Sequence, residues 1–289
     1  MVTIPILVIA GPTASGKSSL ALKIAEEFNG EIISADSMQI YRGLDIGTAK
    51  PTVDEQTQIR HHLIDIVDIN QKFSVYDYIT LADQAILSVY QRGKLPIVVG
   101  GTGFYVKALL GLQPLEYDES DLDEVAELEK LTTAALQDLL IDSTLVTDIS
   151  NRQRLIRGIQ KQRHGKKTSI TRPSYDAHTI ALAWPREILY ERINQRVLLM
   201  FDQGLVDEAQ MLYKSGGIAL QAGRGIGYKE FYPHFDGQIT LKETVEQIQQ
   251  DSRRYAKRQV TYWRHQIDGL EWIDAQVADN HVRTYLANQ

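Results

Sequence analysis

The sequence predicts an α/β protein: a parallel sheet flanked by helices, interrupted by a helical insertion domain. Three observations predict it. Short Ile- and Val-rich runs alternate with amphipathic helical patterns through the first hundred residues. Those runs are almost continuously apolar, as in parallel strands buried on both faces. The composition also shifts after Gly111, and the alternating pattern resumes near His178.

The elements follow in order. Strand-length runs occupy residues 4–10, 31–35, 62–67, 95–99 and 179–184, and amphipathic helices are predicted at 18–28 and 76–91. This βαβ rhythm is that of a doubly wound core. Residues 116–129 then hold eight carboxylates (Glu116, Asp118, Glu119, Asp121, Asp123, Glu124, Glu127 and Glu129). Residues 152–167 hold seven Lys or Arg and no acid. Both stretches read as helical, so the insertion is placed at 112–177, with the core formed by 1–111 and 178–289. From Arg186 onward the chain is again mostly helical, broken at Gly216-Gly217 and around 223–227. A chain of 289 residues is long enough for two domains of ordinary size.

Composition excludes several chemistries. With no cysteine there is no disulfide, thiolate zinc site, iron–sulfur cluster or cysteine nucleophile. The first ten residues lack the basic and long apolar regions of a signal peptide or membrane span, so a cytoplasmic, membrane-free setting is expected. The net charge of −6 argues against a uniformly basic protein but leaves room for local basic patches.

Gly11-Pro12-Thr13-Ala14-Ser15-Gly16-Lys17-Ser18 fits the phosphate-binding pattern G-x-x-x-x-G-K-[ST], between a predicted strand and a predicted helix. Glycines let backbone N–H groups converge on phosphate oxygens, and the helix adds its positive end. Lys17 supplies a charge, and the Ser18 hydroxyl suits Mg²⁺. The run 95–99 ends in Gly100-Gly101-Thr102-Gly103, with no carboxylate to hold Mg²⁺, which argues against a motor ATPase or a GTPase. The run 31–35 does end in an acid, Asp36. Ligands of open α/β sheets bind at the carboxyl ends of strands, so Asp36 should share an edge with the phosphate loop. From position alone it is either a proton acceptor or metal-water holder, or a helix N-cap. Thr102 by itself reads as turn chemistry.

Two basic helical faces point to nucleic acid. Arg154, Arg157 and Lys161 repeat at helical spacing, and Arg253, Lys257 and Arg264 form a second face beside Arg254, Arg258, Tyr255, Tyr262 and Trp263. The acidic stretch 116–129 is expected to face away from such a ligand. His61-His62 resembles a metal pair, but neighbours on a strand point to opposite faces, so a packing or single-contact role is expected.

These motifs are familiar together. The chain resembles the tRNA dimethylallyltransferase (isopentenyl-tRNA transferase) family in GPTASGKS at 11–18, SADSMQIYRGLDIGTAKP at 34–51, HHLID at 61–65, FSVYDY at 73–78, GGTGFYVKALL at 100–110, GIGYKE at 225–230 and YAKRQVTYWR at 255–264. The resemblance implies a P-loop kinase-like core with a helical insertion. It implies transfer of a dimethylallyl group from dimethylallyl diphosphate to N6 of the adenosine 3′-adjacent to a tRNA anticodon. It implies Asp36 as general base with Thr102 as its partner, Lys17 assisting catalysis, and Asp36, Ser37, Met38 and Gln39 around the flipped base. Thr13 to Ser18 would cradle the diphosphate, with Mg²⁺ at Ser18. Gln153, Arg154, Leu155, Arg157, Arg224, Arg253, Lys257 and Arg258 are the implied further tRNA contacts, in a monomeric enzyme. The chain departs from the family at 142–151, where the D-P-x-x-A-x-x-I-H-P-N-D pattern is missing and the insertion is short. The rival classes are a P-loop kinase of a small metabolite and a nucleotide-dependent RNA-binding module without chemistry.

Overall fold

The computed structural model describes residues 3–113, 122–164 and 172–288. The chain divides into two compact units, Met1–Gln113 with Pro173–Gln289, and Pro114–Arg172. The first unit opens with β1 (Thr3–Ala10), α1 (Lys17–Glu27), β2 (Gly30–Ser34), α2 (Val53–Gln58), β3 (His61–His62), α3 (Val75–Gln91), β4 (Leu95–Val99) and α4 (Gly103–Leu109). The second unit holds α5 (Leu122–Lys130), α6 (Thr133–Leu139) and α7 (Arg152–His164). The first unit then resumes with β5 (Ser174–Ala183), α8 (Arg186–Asp202), α9 (Leu205–Lys214), α10 (Tyr232–Phe235), α11 (Leu241–Gln266), β6 (Glu271–Asp274) and α12 (Ala278–Ala287).

The strands form one sheet in the order β3-β2-β4-β1-β5-β6, with every neighbouring pair parallel. This is the expected α/β core. Residues 6–10 of β1 are all buried, with no inside–outside alternation, because helices cover both faces. On one face Leu7, Ile9, Ile97, Ile180 and Leu182 pack with Leu20 and Ile24 of α1 and Val282 of α12. Fully burying each such side chain is worth about 1.5–3 kcal/mol. Helix starts are written locally. Ser74 with Asp77 caps α3, and Thr240 with Glu243 caps α11, each as a reciprocal capping box.

A buried carboxylate pins the edge of the sheet. Glu31 on β2 meets His62 Nε2 at 2.7 Å, Lys94 Nζ at 3.0 Å and Arg92 Nη2 at 2.5 Å. Burial alone would raise its pKa. The bonds from His62 and Lys94 and the Arg92 charge outweigh that and hold it at about 2. The His62 ring is thus bonded to Glu31, and His61 turns its Nδ1 to the Ile59 carbonyl at 2.7 Å.

Two strand expectations need correction. Of the apolar run 62–67 only His62 lies in a strand, β3, and Val67 makes a single bridge to Tyr41. Leu63 and Asp65 adopt positive φ, 64° and 55°, which breaks an extended strand. The following N–H groups of Asp65 and Ile66 bond instead to the carbonyls of Gln39 and Ile40. In addition, Glu271–Asp274 forms a sixth strand, too short and too polar to stand out in the sequence.

The second unit has its own core of Leu128, Leu136, Leu155, Ile156 and Ile159. Leu155 is fully buried there, so its side chain is withdrawn from any RNA contact. Glu124 pairs with Arg163 at 2.7 Å and His164 at 3.0 Å. At that position the acidic stretch meets the basic helix instead of facing away, since opposite charges on neighbouring helices attract. Glu116, Asp118, Glu119, Asp121, Lys166 and Lys167 lie outside the described residues.

Candidate active site

The phosphate loop joins the end of β1 to the start of α1. Gly16 sits at φ 96°, a left-handed conformation that glycine adopts without strain, and precedes α1 with no side-chain cap. The first N–H groups of α1 are thus left for a ligand, at the positive end of the helix dipole. Lys17 Nζ donates to the Pro12 carbonyl at 2.7 Å, folding back over the loop. Burial and the neighbouring Arg196 guanidinium bring its pKa down to about 7, against the opposing pull of Asp36. An anion bound here would restore the charge.

Asp36 follows β2 at the same sheet edge. Its Oδ1 accepts from the Met38 N–H at 2.9 Å, which closes a local turn and caps no helix. Thr102 starts α4 without capping it. Its Oγ1 instead accepts from the Ser37 N–H at 3.1 Å and donates to Ser37 Oγ at 3.3 Å. The ends of β2 and β4 can meet this closely because residue 100 is glycine. A Cβ there would lie 2.1 Å from the Ala35 carbonyl oxygen. The structure thus brings Thr102 to the turn that carries Asp36.

The remaining wall comes from far along the chain. On α8, Arg192 Nε donates to the Ala14 carbonyl at 2.8 Å, and Arg196 Nη1 to Thr13 Oγ1 at 3.3 Å. On α11, Gln259 accepts from the Thr13 N–H at 2.8 Å and donates to the Gly101 carbonyl at 3.0 Å. Tyr255, one turn earlier, lines the same cavity. Its hydroxyl pKa is pushed up, chiefly by burial and then by the Asp36 charge. Sequence reasoning passed over Arg192, Arg196 and Gln259 as site residues. The signal available was an i, i+4 arginine pair on the helix that follows a core strand.

Together these residues surround an open cleft of about 1010 Å³. Lys17, Lys50, Arg192, Arg196, Arg224, Lys229 and Arg258 line it, against the carboxylates of Asp36 and Glu55. Lys50 is neutralised by Asp45 at 2.5 Å and Asp65 at 2.6 Å, but the excess stays positive. A chain of net charge −6 therefore concentrates cations at one cleft.

The expected nucleic-acid residues divide by position. Ser37, Met38 and Gln39 line the cleft. The Gln39 amide is occupied: Nε2 donates to the Thr48 and Ala49 carbonyls at 3.2 Å, and Oε1 accepts from Ser34 Oγ at 3.1 Å. It braces the pocket wall. Arg224 and Arg258 line the rim, with Arg258 lying 5.8 Å from the Tyr255 ring centroid. Lys257 is exposed. Arg253 is not on an outward face, for its guanidinium binds Asn194 Oδ1 on α8. That departs from the predicted basic surface, because residues 248, 252, 255 and 259 of α11 turn toward the cleft. In the second unit Gln153, Arg154 and Arg157 are exposed on α7, with Arg154 bonded to Thr147 Oγ1 at 3.1 Å.

The donor set suits Mg²⁺. Ser18 is exposed on the cleft wall, and Asp36 offers one carboxylate oxygen beyond the Met38 bond. Among the described residues no group of three His or acidic side chains gathers at the loop. Mg²⁺ commonly binds through one or two protein oxygens, with phosphate oxygens and water completing its shell.

Comparison with known proteins finds relatives over nearly the whole chain. A family model described as IPP transferase matches residues 39–266. The tRNA dimethylallyltransferase of Leuconostoc citreum is 56% identical over 273 residues, covering 93% of each chain. The full-length tRNA isopentenylpyrophosphate transferase of Bacillus halodurans superposes with a TM-score of 0.75 at 37% identity, covering 98% of this chain and 96% of that one. A eukaryotic dimethylallyltransferase, in crystallographic snapshots of its action on tRNA, superposes with a TM-score of 0.81 at 26% identity, covering 99% of this chain and 80% of that one. With its phosphate loop, its Asp36–Thr102 edge and relatives of this similarity over nearly the whole length, the chain belongs to the IPP transferase family, the tRNA dimethylallyltransferases.

Proposed function

We propose that the cleft transfers a dimethylallyl group from dimethylallyl diphosphate to N6 of the adenosine 3′-adjacent to the anticodon of a tRNA. The C1–O bond of the donor breaks, a C1–N6 bond forms, diphosphate leaves, and the N6 proton passes to Asp36. The observation that carries this reading is one cleft lined by both the Asp36 carboxylate and the cationic phosphate loop.

The exocyclic amine of adenine is a weak nucleophile, because its lone pair is delocalised into the ring. Asp36 remedies this by accepting a proton as the new bond forms. Its turn is steadied by Thr102 through Ser37. Leaving diphosphate gathers negative charge. The loop N–H groups and Lys17 stabilise that charge, and Arg192 and Arg196 hold the loop that presents them. Mg²⁺, held by Ser18 and phosphate oxygens, supplies further charge neutralisation when bound. The adenine must leave its stack to enter the cleft, where Ser37 and Met38 form part of the wall. Arg224, Lys257 and Arg258 contact the tRNA backbone, as do Arg154 and Arg157 on the helical unit. The enzyme works as a monomer in the cytoplasm.

The test is direct. The protein is incubated with dimethylallyl diphosphate, Mg²⁺ and bulk tRNA, and nucleosides are analysed by mass. Adenosine carrying one added dimethylallyl group is the expected product. Product formed with ATP in place of the prenyl donor, on a small hydroxyl compound, would instead indicate a kinase.

A further inference from the structure

Away from the cleft, three metal-ligating side chains meet at the β6 edge of the sheet. His178 lies on β5, level with Leu7 in the middle of β1. Glu271 opens β6, level with Ile180. Side chains alternate along a strand, so His178 and Ile180 share a face, and Glu271 shares it too. His281 reaches this group from α12. One ligand atom from each of the three lies within 4.8 Å of the others. Glu271 Oε2 and His281 Nε2 are 3.3 Å apart.

The arrangement leaves one polar atom unexplained. Nε2 of His178 is buried and has no hydrogen-bond partner among the described residues. A buried imidazole nitrogen without a partner carries a desolvation cost, and such groups commonly mark a missing ion or water. The ring is also held in place. It stacks on Tyr285 of α12 at 3.6 Å between centroids and 11° between planes. The His281 ring lies nearly parallel to it, at 6.1 Å and 14°.

We propose that His178, Glu271 and His281 form a binding site for a divalent transition-metal ion, with Zn²⁺ the best match. Two imidazoles and one carboxylate suit Zn²⁺, whereas Mg²⁺ prefers oxygen ligands throughout. Tetrahedral zinc with bonds of about 2.0–2.1 Å sets its ligand atoms about 3.3 Å apart, so small side-chain rotations close the site. Three protein ligands leave the fourth position to water. The ion clips α12 onto β5 and β6, and gives His178 Nε2 its partner. This site is independent of the prenyl-transfer reading, since none of its residues lines the cleft.

The experiment uses the full chain, treated with EDTA and dialysed, then titrated with ZnCl₂. Calorimetry should give one Zn²⁺ per chain, and Tm should rise with ZnCl₂ but not with equal MgCl₂. Glu271→Gln and His281→Gln should each weaken Zn²⁺ binding at least tenfold while keeping the far-UV spectrum of the parent. In the unaltered protein, the ring protons of His178 and His281 should shift on titration while those of the other histidines stay put. This last measurement decides the matter even where a variant folds poorly. No stoichiometric binding, binding as tight in both variants, or shifts confined to other histidines would each overturn the site.

Discussion

Gln259 Oε1 accepts a hydrogen bond from the Thr13 N–H at 2.8 Å, across 246 positions of sequence. The other end of the same buried amide donates to the Gly101 carbonyl at 3.0 Å. One α11 side chain therefore fastens the phosphate loop to the turn after β4, where Thr102 supports the Asp36 segment. Residue 101 must be small for this contact, as a Cβ there would lie 2.4 Å from Gln259 Nε2.

Gln259→Met should loosen the phosphate loop. It leaves the Thr13 N–H and the Gly101 carbonyl without partners, at a cost of about 1–3 kcal/mol for each unsatisfied buried group. The donor KM is expected to rise by roughly 5–150-fold, the equivalent of that range for one group. The tRNA Kd should change little. Equal losses in both, by steady-state kinetics and titration, would show that the clamp is not local to the donor.

Asp36→Asn should keep tRNA and diphosphate binding while kcat falls by about 10²–10⁴, the usual cost of losing a general base. Turnover within a few fold of the parent would remove Asp36 from that role. Thr102→Val should lower kcat by a smaller factor, because it releases the Ser37 N–H and hydroxyl but leaves the Asp36 carboxylate in place.

Lys17 links donor binding to pH. Its pKa in the free protein is lowered to about 7 from an ordinary 10.5. Above pH 7 the free lysine is mostly neutral, and a bound diphosphate favours its charged form. Diphosphate binding should therefore take up a proton above pH 7, and its affinity should weaken as pH rises. Calorimetry in buffers of different ionisation enthalpy measures the proton directly. Lys17→Ala should abolish that uptake and harm donor KM far more than tRNA affinity.

Salt dependence separates the basic residues of α11. Each neutralised phosphate releases counterions, so log K falls linearly with log salt. Lys257→Gln or Arg258→Gln should flatten the slope by roughly one unit each. Arg253→Gln should leave the slope unchanged and lower Tm instead, because that guanidinium is spent on Asn194. A slope near zero for the unaltered protein would defeat the electrostatic reading of tRNA binding.

Glu31→Gln should destabilise the fold. Removing one partner of a buried ion pair costs roughly 3–5 kcal/mol, and the partly exposed Arg92 and Lys94 place this case at the lower end. The carboxylate pKa is depressed from 4.5 to about 2. Its stabilisation is thus complete above pH 4.5 and lost as pH falls through 2. Urea melts between pH 7 and 3 should show an acid-dependent loss that is smaller in the variant.

The α/β class, the phosphate loop and the Asp36 edge were legible in the sequence for one physical reason. Each is written in contiguous residues whose geometry is local. The apolar runs at 4–10 and 95–99 are short, rich in β-branched residues and followed by glycine, as buried strands are, and the loop at 11–18 needs only its own glycines and the helix it starts. The family resemblance of the 34–51 and 255–264 segments came from contiguous residues as well. The failures were also local rules overridden at a distance. The run at 62–67 had strand composition, yet positive φ at Leu63 and Asp65 turned it onto the 39–41 segment. Leu155 and Arg253 matched an expected RNA-contact pattern, but helix packing directed one into a core and the other onto Asn194. Only the tertiary structure decided that Arg192, Arg196 and Gln259 grip the phosphate loop, because those contacts span 246 positions or fewer by packing, not by spacing. Which cations face the cleft was settled in the same way. A helix written in one dimension states its charges, and only the surfaces it is pressed against select the face that carries them.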